Sequence, residues 1–471
     1  MGAMEGRQLR IDFEGQPGRA GAEPRELPEA PTRAWSNEAD ELDATIGNTG
    51  DLLERICSWG NMGEACARVV RNGGAGGVDG MEVTELEAWL EANHGALAGR
   101  ILSGRYRPKP VRRVEIPKRE KGKVRLLGIP TCIDRLVQQA VAQQLTPIFE
   151  PRFHEDSYGF RPGRSAHDAL LAVRRHAEAG NVWVASMDLE RFFDTVSQSK
   201  LVQLLSDALA DKRVVSLVHR FLMAGVAVDG IVEPTPEGTP QGGPLSPLLA
   251  NVLLNELDWE LERRGHAFVR YADDFMILKR SRKAAERAME SMSKFVESRL
   301  FLRVNREKSY VAHITRQVKY LGYSFYAGRG GEVRLCAHRE SVESLRDRVR
   351  EILSRSNGWS LDFRRYRLRC LVHGWVGYFR LADMRGTLRR LDEWVRRKIR
   401  CVYWKCWKRN RTKFRALVRL GVGRGQAWEW ANSRRAYWRV AGSGILDRAL
   451  GNAKLEELGW TLFYPRYLQV C

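Results

Sequence analysis

The chain runs to 471 residues, more than one compact domain usually holds, and its 44% hydrophobic and 9% aromatic content is ample for real cores. Lys and Arg number 78 against 57 Asp and Glu, a formal net charge of +21, so the surface carries a strong positive field and a polyanion is the expected partner. Eight cysteines without a CxxC pair argue against a zinc site, and no apolar run approaches the roughly 20 residues of a bilayer span, so a cytoplasmic, reducing location without a membrane partner is expected.

Residues 1–51 are rich in Gly, Pro, Ala and Glu and poor in large aliphatics, which predicts a disordered or loosely docked leader. From Leu52 the pattern becomes periodic. The glycine-dense stretch NGGAGGVDG at 72–80 separates two amphipathic helical segments; it suits either close approach to a phosphate backbone or a flexible connector. VRRVEIPKREKGKVRLLGIP at 111–130 reads as two short strands joined by a charged turn, a basic hairpin. Thr131 with Asp134 then reads as a capping box, opening a helix whose apolar face is Ile133, Leu136, Val137, Ala140, Val141 and Leu145.

VWVASMDL at 182–189 alternates as a half-buried strand that delivers Asp188 at its end, and AFVRYADDFMILK at 267–279 suits strand, tight turn and strand around Asp273 and Asp274. Strands alternate with long helices up to about 335, and the periodicity is helical from about 340 onward. The expected class is α+β, followed by an all-α region.

Asp273 and Asp274 lie in an apolar run, where unpaired charge is costly to desolvate, so something positive must neutralise them. A tight turn presents both acids, and Asp188 from another strand would complete an oxygen-lined site for Mg²⁺. Two such ions are how carboxylate clusters catalyse nucleotidyl transfer, with no protein nucleophile. The plainer reading is an Asp-Asp turn dipeptide and a helix-capping Asp188. Asp194 is read as a cap or ion-pair partner, outside the acidic set.

Tyr271-Ala272-Asp273-Asp274 resembles the YxDD box of reverse transcriptases, in the form usual among group II intron-encoded proteins. SYGFRPGRSAHDAL at 157–170, MDLERFFDTV at 187–196, GTPQGGPLSPLLANVLLNELD at 238–258 and VKYLGYSF at 318–325 resemble successive blocks of that family. The resemblance covers about 52–471. It implies a right-hand polymerase with fingers and palm over 52–335, a helical thumb and maturase region over 336–403, and a small basic C-terminal domain over 404–471.

Position by position, the resemblance implies that Asp188 and Asp273 are metal ligands with Asp274 completing the cluster, for two Mg²⁺ ions or Mn²⁺ as substitute. Phe193 resembles the steric gate that favours deoxynucleotides, although Phe192 beside it competes for the role. Gln241 falls where the family contacts the incoming nucleotide, with Gly242 and Gly243 allowing close backbone approach. Lys118 and Arg125 match finger residues that hold the triphosphate. Lys308 matches a lysine that protonates the leaving pyrophosphate. The block at 68–80 resembles a clamp on template RNA.

Most of the fourteen tryptophans lie at or after Trp359, interleaved with cations. Between Thr387 and Leu420 thirteen Lys or Arg face only Asp392 and Glu393, a stripe suited to RNA whose binding weakens with salt. Trp394, Trp404 and Trp407 fit helical core positions better than base stacking. HGWVGYFRLAD at 373–383 resembles the thumb and maturase region, and the sequence ends without the HNH endonuclease module of some relatives. The implied partners are group II intron RNA, an RNA template with DNA primer, target DNA and dNTPs. A splicing maturase with a vestigial polymerase, and a domesticated enzyme serving repair or phage defence, are the alternatives.

Overall fold

The computed structural model describes residues 50–117, 124–228, 231–235, 237–239, 242–316 and 318–470. The predicted leader thus lies almost wholly outside the described residues, as do Lys118 and Gln241. The described chain forms two compact units that divide between His313 and Ile314.

In the first unit, helices α1 (Leu52–Cys57), α2 (Trp59–Asn72) and α3 (Leu86–Leu102) bury Leu52, Ile56, Met62, Val69 and Leu86 in the same core as Leu136, Val137, Val141 and Leu145 of a fourth, long helix. The glycine stretch after α2 is anchored. Arg135 donates to the carbonyls of Gly73 (3.2 Å) and Ala75 (2.8 Å), and Arg112 to that of Gly76 (2.8 Å). A Cβ on Gly77 would lie 2.6 Å from Thr131 Cα, so these glycines admit the protein's own backbone.

Strands β1 (Val111–Pro117) and β2 (Val124–Ile129) pair antiparallel as the expected hairpin. The fourth helix, α4 (Cys132–Phe149), is capped by Thr131, whose hydroxyl accepts from the Asp134 amide at 3.1 Å. The reciprocal half of the expected box is not made. Asp134 instead accepts from the hydroxyls of Thr131 and Tyr106, both at 2.6 Å, and from the Lys109 amide at 3.2 Å. Two donors from the preceding segment that would otherwise be orphaned take the carboxylate.

Helix α5 (Ala166–Glu178) leads into β3 (Trp183–Met187); α6 (Gln198–Ala208) and α7 (Lys212–Leu222) follow, then β4 (Val226–Val228) and β5 (Ile231–Glu233). Helix α8 (Ser246–Arg263) precedes β6 (Ala267–Tyr271) and β7 (Asp274–Lys279), and α9 (Arg282–Arg299) precedes β8 (Tyr310–His313). The strands form two sheets, β2-β1-β4-β5 and β6-β7-β3-β8. The second is antiparallel throughout and carries the acids. Val184, Ala185, Phe268, Met276 and Ile277 are buried, and Ala185, Phe268 and Ile277 share one core cluster with Leu253 and Leu257 of α8 and Met292 of α9.

The second unit opens with a three-stranded antiparallel sheet, β9 (Lys319–Tyr320), β10 (Tyr323–Ala327) and β11 (Val333–Ala337), in the order β11-β10-β9. From there it is helical, as the periodicity predicts: α10 (Arg339–Ile352), α11 (Leu361–Tyr378), α12 (Arg385–Cys406), α13 (Asn410–Arg419), short helices, and a last helix α14 (Phe463–Val470). Arg364 closes α10 by donating to the Ile352 and Ser354 carbonyls at 2.7 and 2.6 Å. Asp392 of α12 caps α14 by accepting from the amides of Phe463 (2.9 Å) and Tyr464 (2.8 Å).

Candidate active site

Strand register carries the three acids to the same end of the β6-β7-β3-β8 sheet. In the β3–β7 ladder the last pair is Met187 with Phe275, and one residue further Asp188 comes opposite Asp274. In the β6–β7 hairpin Tyr271 pairs with Asp274, leaving Ala272 and Asp273 as a two-residue loop. Such a loop needs positive φ, which Ala272 supplies at +57°. Asp188 and Asp273 are half-buried and Asp274 is exposed.

The Asp188 backbone is pinned from the far side. Its amide donates to Ser309 Oγ at 3.1 Å, and its carbonyl accepts from the Asn305 amide at 2.8 Å. Lys308 sits in the turn between those anchors, its amide donating to Asn305 Oδ1 at 3.2 Å and its side chain exposed. The same turn that holds Asp188 therefore carries the predicted lysine.

Beyond Asp188 the chain bends sharply, with Arg191 at φ +45°, into the helical turn Phe192–Thr195 that includes Asp194. Phe192 is 2% exposed and belongs to the core, whereas Phe193 is only half-buried; the two exchangeable phenylalanines are thereby distinguished. The Phe193 carbonyl accepts from the Thr239 amide at 2.7 Å, and Gly238, at φ +89°, would place a Cβ 2.8 Å from the same oxygen. Buried Gln198 fixes this crossing by donating to the carbonyls of Thr235 and Gly238, each at 3.0 Å.

Past Gln241, Gly242 (φ +125°) would set a Cβ 2.5 Å from the Gly128 carbonyl, and Gly243 one 2.2 Å from Gln138 Oε1. The glycine pair thus crosses the end of β2, the strand in which Arg125 pairs with Ile116. Gly238 thus lies against the Phe193–Asp194 backbone that follows β3, and Gly242 and Gly243 lie against Gly128 and Gln138, approaches that added side chains would block.

A buried polar cluster that sequence reasoning missed lies under the acid loop. Arg270, 0% exposed, makes a two-pronged pair with Asp258 at 2.7 and 2.5 Å. It also donates to Ser157 Oγ (2.6 Å), Asn251 Oδ1 (2.9 Å) and the Ala272 carbonyl (3.0 Å). Asn251 in turn donates to the Gly159 carbonyl at 2.9 Å, and the Gly159 Cα faces the Ala272 amide so closely that a Cβ would be 2.2 Å from its nitrogen. The signal was legible: one Arg inside an apolar strand, and Asn251 with Asp258 seven residues apart on one face of a leucine-rich helix.

The basic region of the second unit is a surface of cations laid over aromatic rings. Arg397 lies 4.2 Å from the Trp438 ring centre, Lys413 4.8 Å from Trp404 and Arg435 5.1 Å from Trp430. Trp404 is buried; Trp394 and Trp407 are half-buried; the exposed rings are Trp428 and Trp438. Of the thirteen cations in the stripe, Arg400 is buried and paired with Asp447, so it is structural.

Residues 116–325 match the family described as reverse transcriptase (RNA-dependent DNA polymerase), and residues 342–421 match the group II intron, maturase-specific domain. Protein YkfC of Escherichia coli is 35% identical over 299 residues, covering 55% of this chain and 78% of that protein. Group II intron-encoded protein LtrA of Lactococcus lactis is 29% identical over 350 residues, covering 57% of this chain and 58% of LtrA. Nuclear intron maturase 2, mitochondrial, of Arabidopsis thaliana is 35% identical over 98 residues, 21% of this chain and 13% of that protein. With a polymerase-type sheet, an acidic hairpin loop and a maturase-specific region following in that order, the chain belongs to the group II intron-encoded reverse transcriptase/maturase family of RNA-directed DNA polymerases.

Proposed function

We propose that this chain extends a DNA primer on an RNA template with Asp188, Asp273 and Asp274 as ligands of two Mg²⁺ ions, and that it binds its intron RNA to promote splicing and retrohoming. Reverse transcriptases as a family use divalent metal ions, and the residues here fit them, being hard oxygen donors with no thiolate or imidazole among them. Among the described residues no three Asp, Glu, His or Cys side chains already form a finished cage. The fit therefore rests on donor type and on the register that carries Asp188 to the position opposite Asp274. When bound, the ions supply Lewis acidity for in-line displacement and shield the developing charge.

The chain's own residues do the rest by placement. Phe193 stands half-buried beside the Gly238–Thr239 crossing, where a ring excludes a ribose 2′-hydroxyl. Arg125 and Lys118 of the hairpin bind the triphosphate, Gln241 contacts the incoming nucleotide, and Lys308 gives a proton to the departing pyrophosphate. Residues 52–335 act as fingers and palm, 336–403 as thumb, and the basic helices of 404–471 contact intron RNA and target DNA.

The observation that carries this reading is the convergence of the β3 end on the Ala272–Asp273 loop. Purified protein given Mg²⁺, an RNA template, an annealed DNA primer and dNTPs is expected to extend the primer, and Asp273→Ala is expected to bind the same RNA without extending it. Equal DNA synthesis by the two proteins removes the acids from the mechanism. Assistance of intron RNA splicing by the wild type without nucleotide addition selects the vestigial-polymerase alternative.

A further inference from the structure

The Asp273 backbone conformation is not fixed by its own hairpin. A two-residue loop closed by Tyr271 and Asp274 leaves the peptide between Ala272 and Asp273 free to turn, and the alanine at φ +57° has none of glycine's tolerance for that region. Something outside the loop must hold that peptide. The Ala272 carbonyl, which belongs to it, accepts from the Arg270 guanidinium at 3.0 Å. On the opposite side the Ala272 amide is backed by Gly159.

Arg270 has five N–H donors in a rigid planar fork. All five have acceptors: Nε and one Nη2 hydrogen on Asp258, the other Nη2 hydrogen on Ser157, and the two Nη1 hydrogens on Asn251 and Ala272. Its backbone is held as well, the amide donating to the Asp156 carbonyl and the carbonyl accepting from the Tyr158 amide, each at 2.9 Å. The plane of the fork is thus set by α8 and by the 156–159 segment before it reaches the loop. It transmits that setting to one peptide carbonyl, adjacent to the acid.

We infer that Arg270 is a positioning residue for the polymerase site: with Asp258 and Asn251 it orients the Ala272–Asp273 peptide so that the Asp273 carboxylate meets the divalent cation. This inference rests on the acidic reading above. It assigns the buried ion pair a role beyond stability, because stability alone needs the Asp258 contacts and not the bond to Ala272.

The test uses the full chain and four variants. Arg270→Lys keeps the charge facing Asp258 but has no fork to reach Ala272 and Asn251 together. Expected are a fall in kcat of about 10- to 100-fold at saturating dNTP with KM for primer-template unchanged, and Mn²⁺ binding by the nucleic-acid-free protein, measured by calorimetry, weakened about 10-fold. Backbone amide exchange over 271–275 is expected to speed up. Leu205→Ala, in the buried core of α6, serves as a destabilised control and should lower the melting temperature without altering Mn²⁺ affinity.

Should Arg270→Lys fail to fold, Asn251→Ala retains the Arg270–Asp258 pair while cutting the link to Gly159, and is expected to shift Mn²⁺ affinity in the same direction by a smaller factor. Wild-type Mn²⁺ affinity and kcat in the folded variants overturn the inference. An Asp273→Ala protein with undiminished Mn²⁺ binding and extension instead overturns the acidic reading on which it rests.

Discussion

Gly159→Ala isolates the packing that sets the acid loop. The glycine has no positive φ, so the substitution adds no backbone strain and acts only through its methyl group. That Cβ would lie 2.2 Å from the Ala272 nitrogen, 2.9 Å from the Tyr271 carbonyl carbon and 3.0 Å from Ala272 Cα. All three are backbone atoms, unable to swing aside as a side-chain tip does. Ordinary contact begins at 3.4 Å, so the loop or the 157–160 segment must retreat by about 1 Å. Overpacking of this kind costs about 1–3 kcal/mol of stability, and displacement of a catalytic group by about 1 Å costs roughly 100-fold in rate. Single-turnover primer extension at saturating Mg²⁺ and dNTP, with a thermal melt on the same sample, measures both. A Gly159→Ala protein whose extension rate stays within about 3-fold of wild type shows that the loop does not need this contact, and the reasoning fails.

Phe193→Ala is expected to admit ribonucleotides while Phe192→Ala chiefly destabilises, by about 3–5 kcal/mol, since only Phe192 is in the core; competition between dNTP and rNTP in primer extension separates the two. Burial pushes the Asp392 carboxyl up to about 6, outweighing the two amides it accepts from and the nearby Arg396. Its folded state then holds a proton that the unfolded state has lost, so stability falls as pH rises from about 4 to 6, by an amount on the order of 3 kcal/mol. The wild-type melting temperature minus that of Asp392→Asn should decline across that window, and a rise refutes the assignment. RNA affinity should fall linearly in log–log with salt; replacing Arg397 and Lys398 with Ala should reduce that slope by roughly 1 to 2 units, whereas Arg400→Ala, which breaks the pair with Asp447, should act on the melting temperature.

The strand and turn that carry the three candidate acids were legible because their determinants are local. Alternating apolar residues before Asp188 make a strand in any context, and two acids amid Phe, Met, Ile and Leu demand a turn and a neutralising partner. The helical second unit follows from periodicity in the same way. The half-made capping box at Thr131 marks where locality ends: the residue types fit the pattern, but Tyr106 and Lys109 took the carboxylate. The glycine stretch at 72–80 offered two readings about phosphate or flexibility, and the fold used its first half for packing against Arg135 and Thr131.

Taken alone, the amino-acid order determined which segments are strand or helix, where the acids stand in the chain, and that the surface seeks a polyanion, because these depend on residues within a few positions or on summed charge. Tertiary structure decided which buried charge answers which. Arg270 finds Asp258 twelve residues away but Ser157 at 113, and Asp392 caps a helix 71 residues on. Burying a charge is tolerable only when its partners are supplied at hydrogen-bond distance, and that supply comes from the packing of distant elements, which no local pattern encodes.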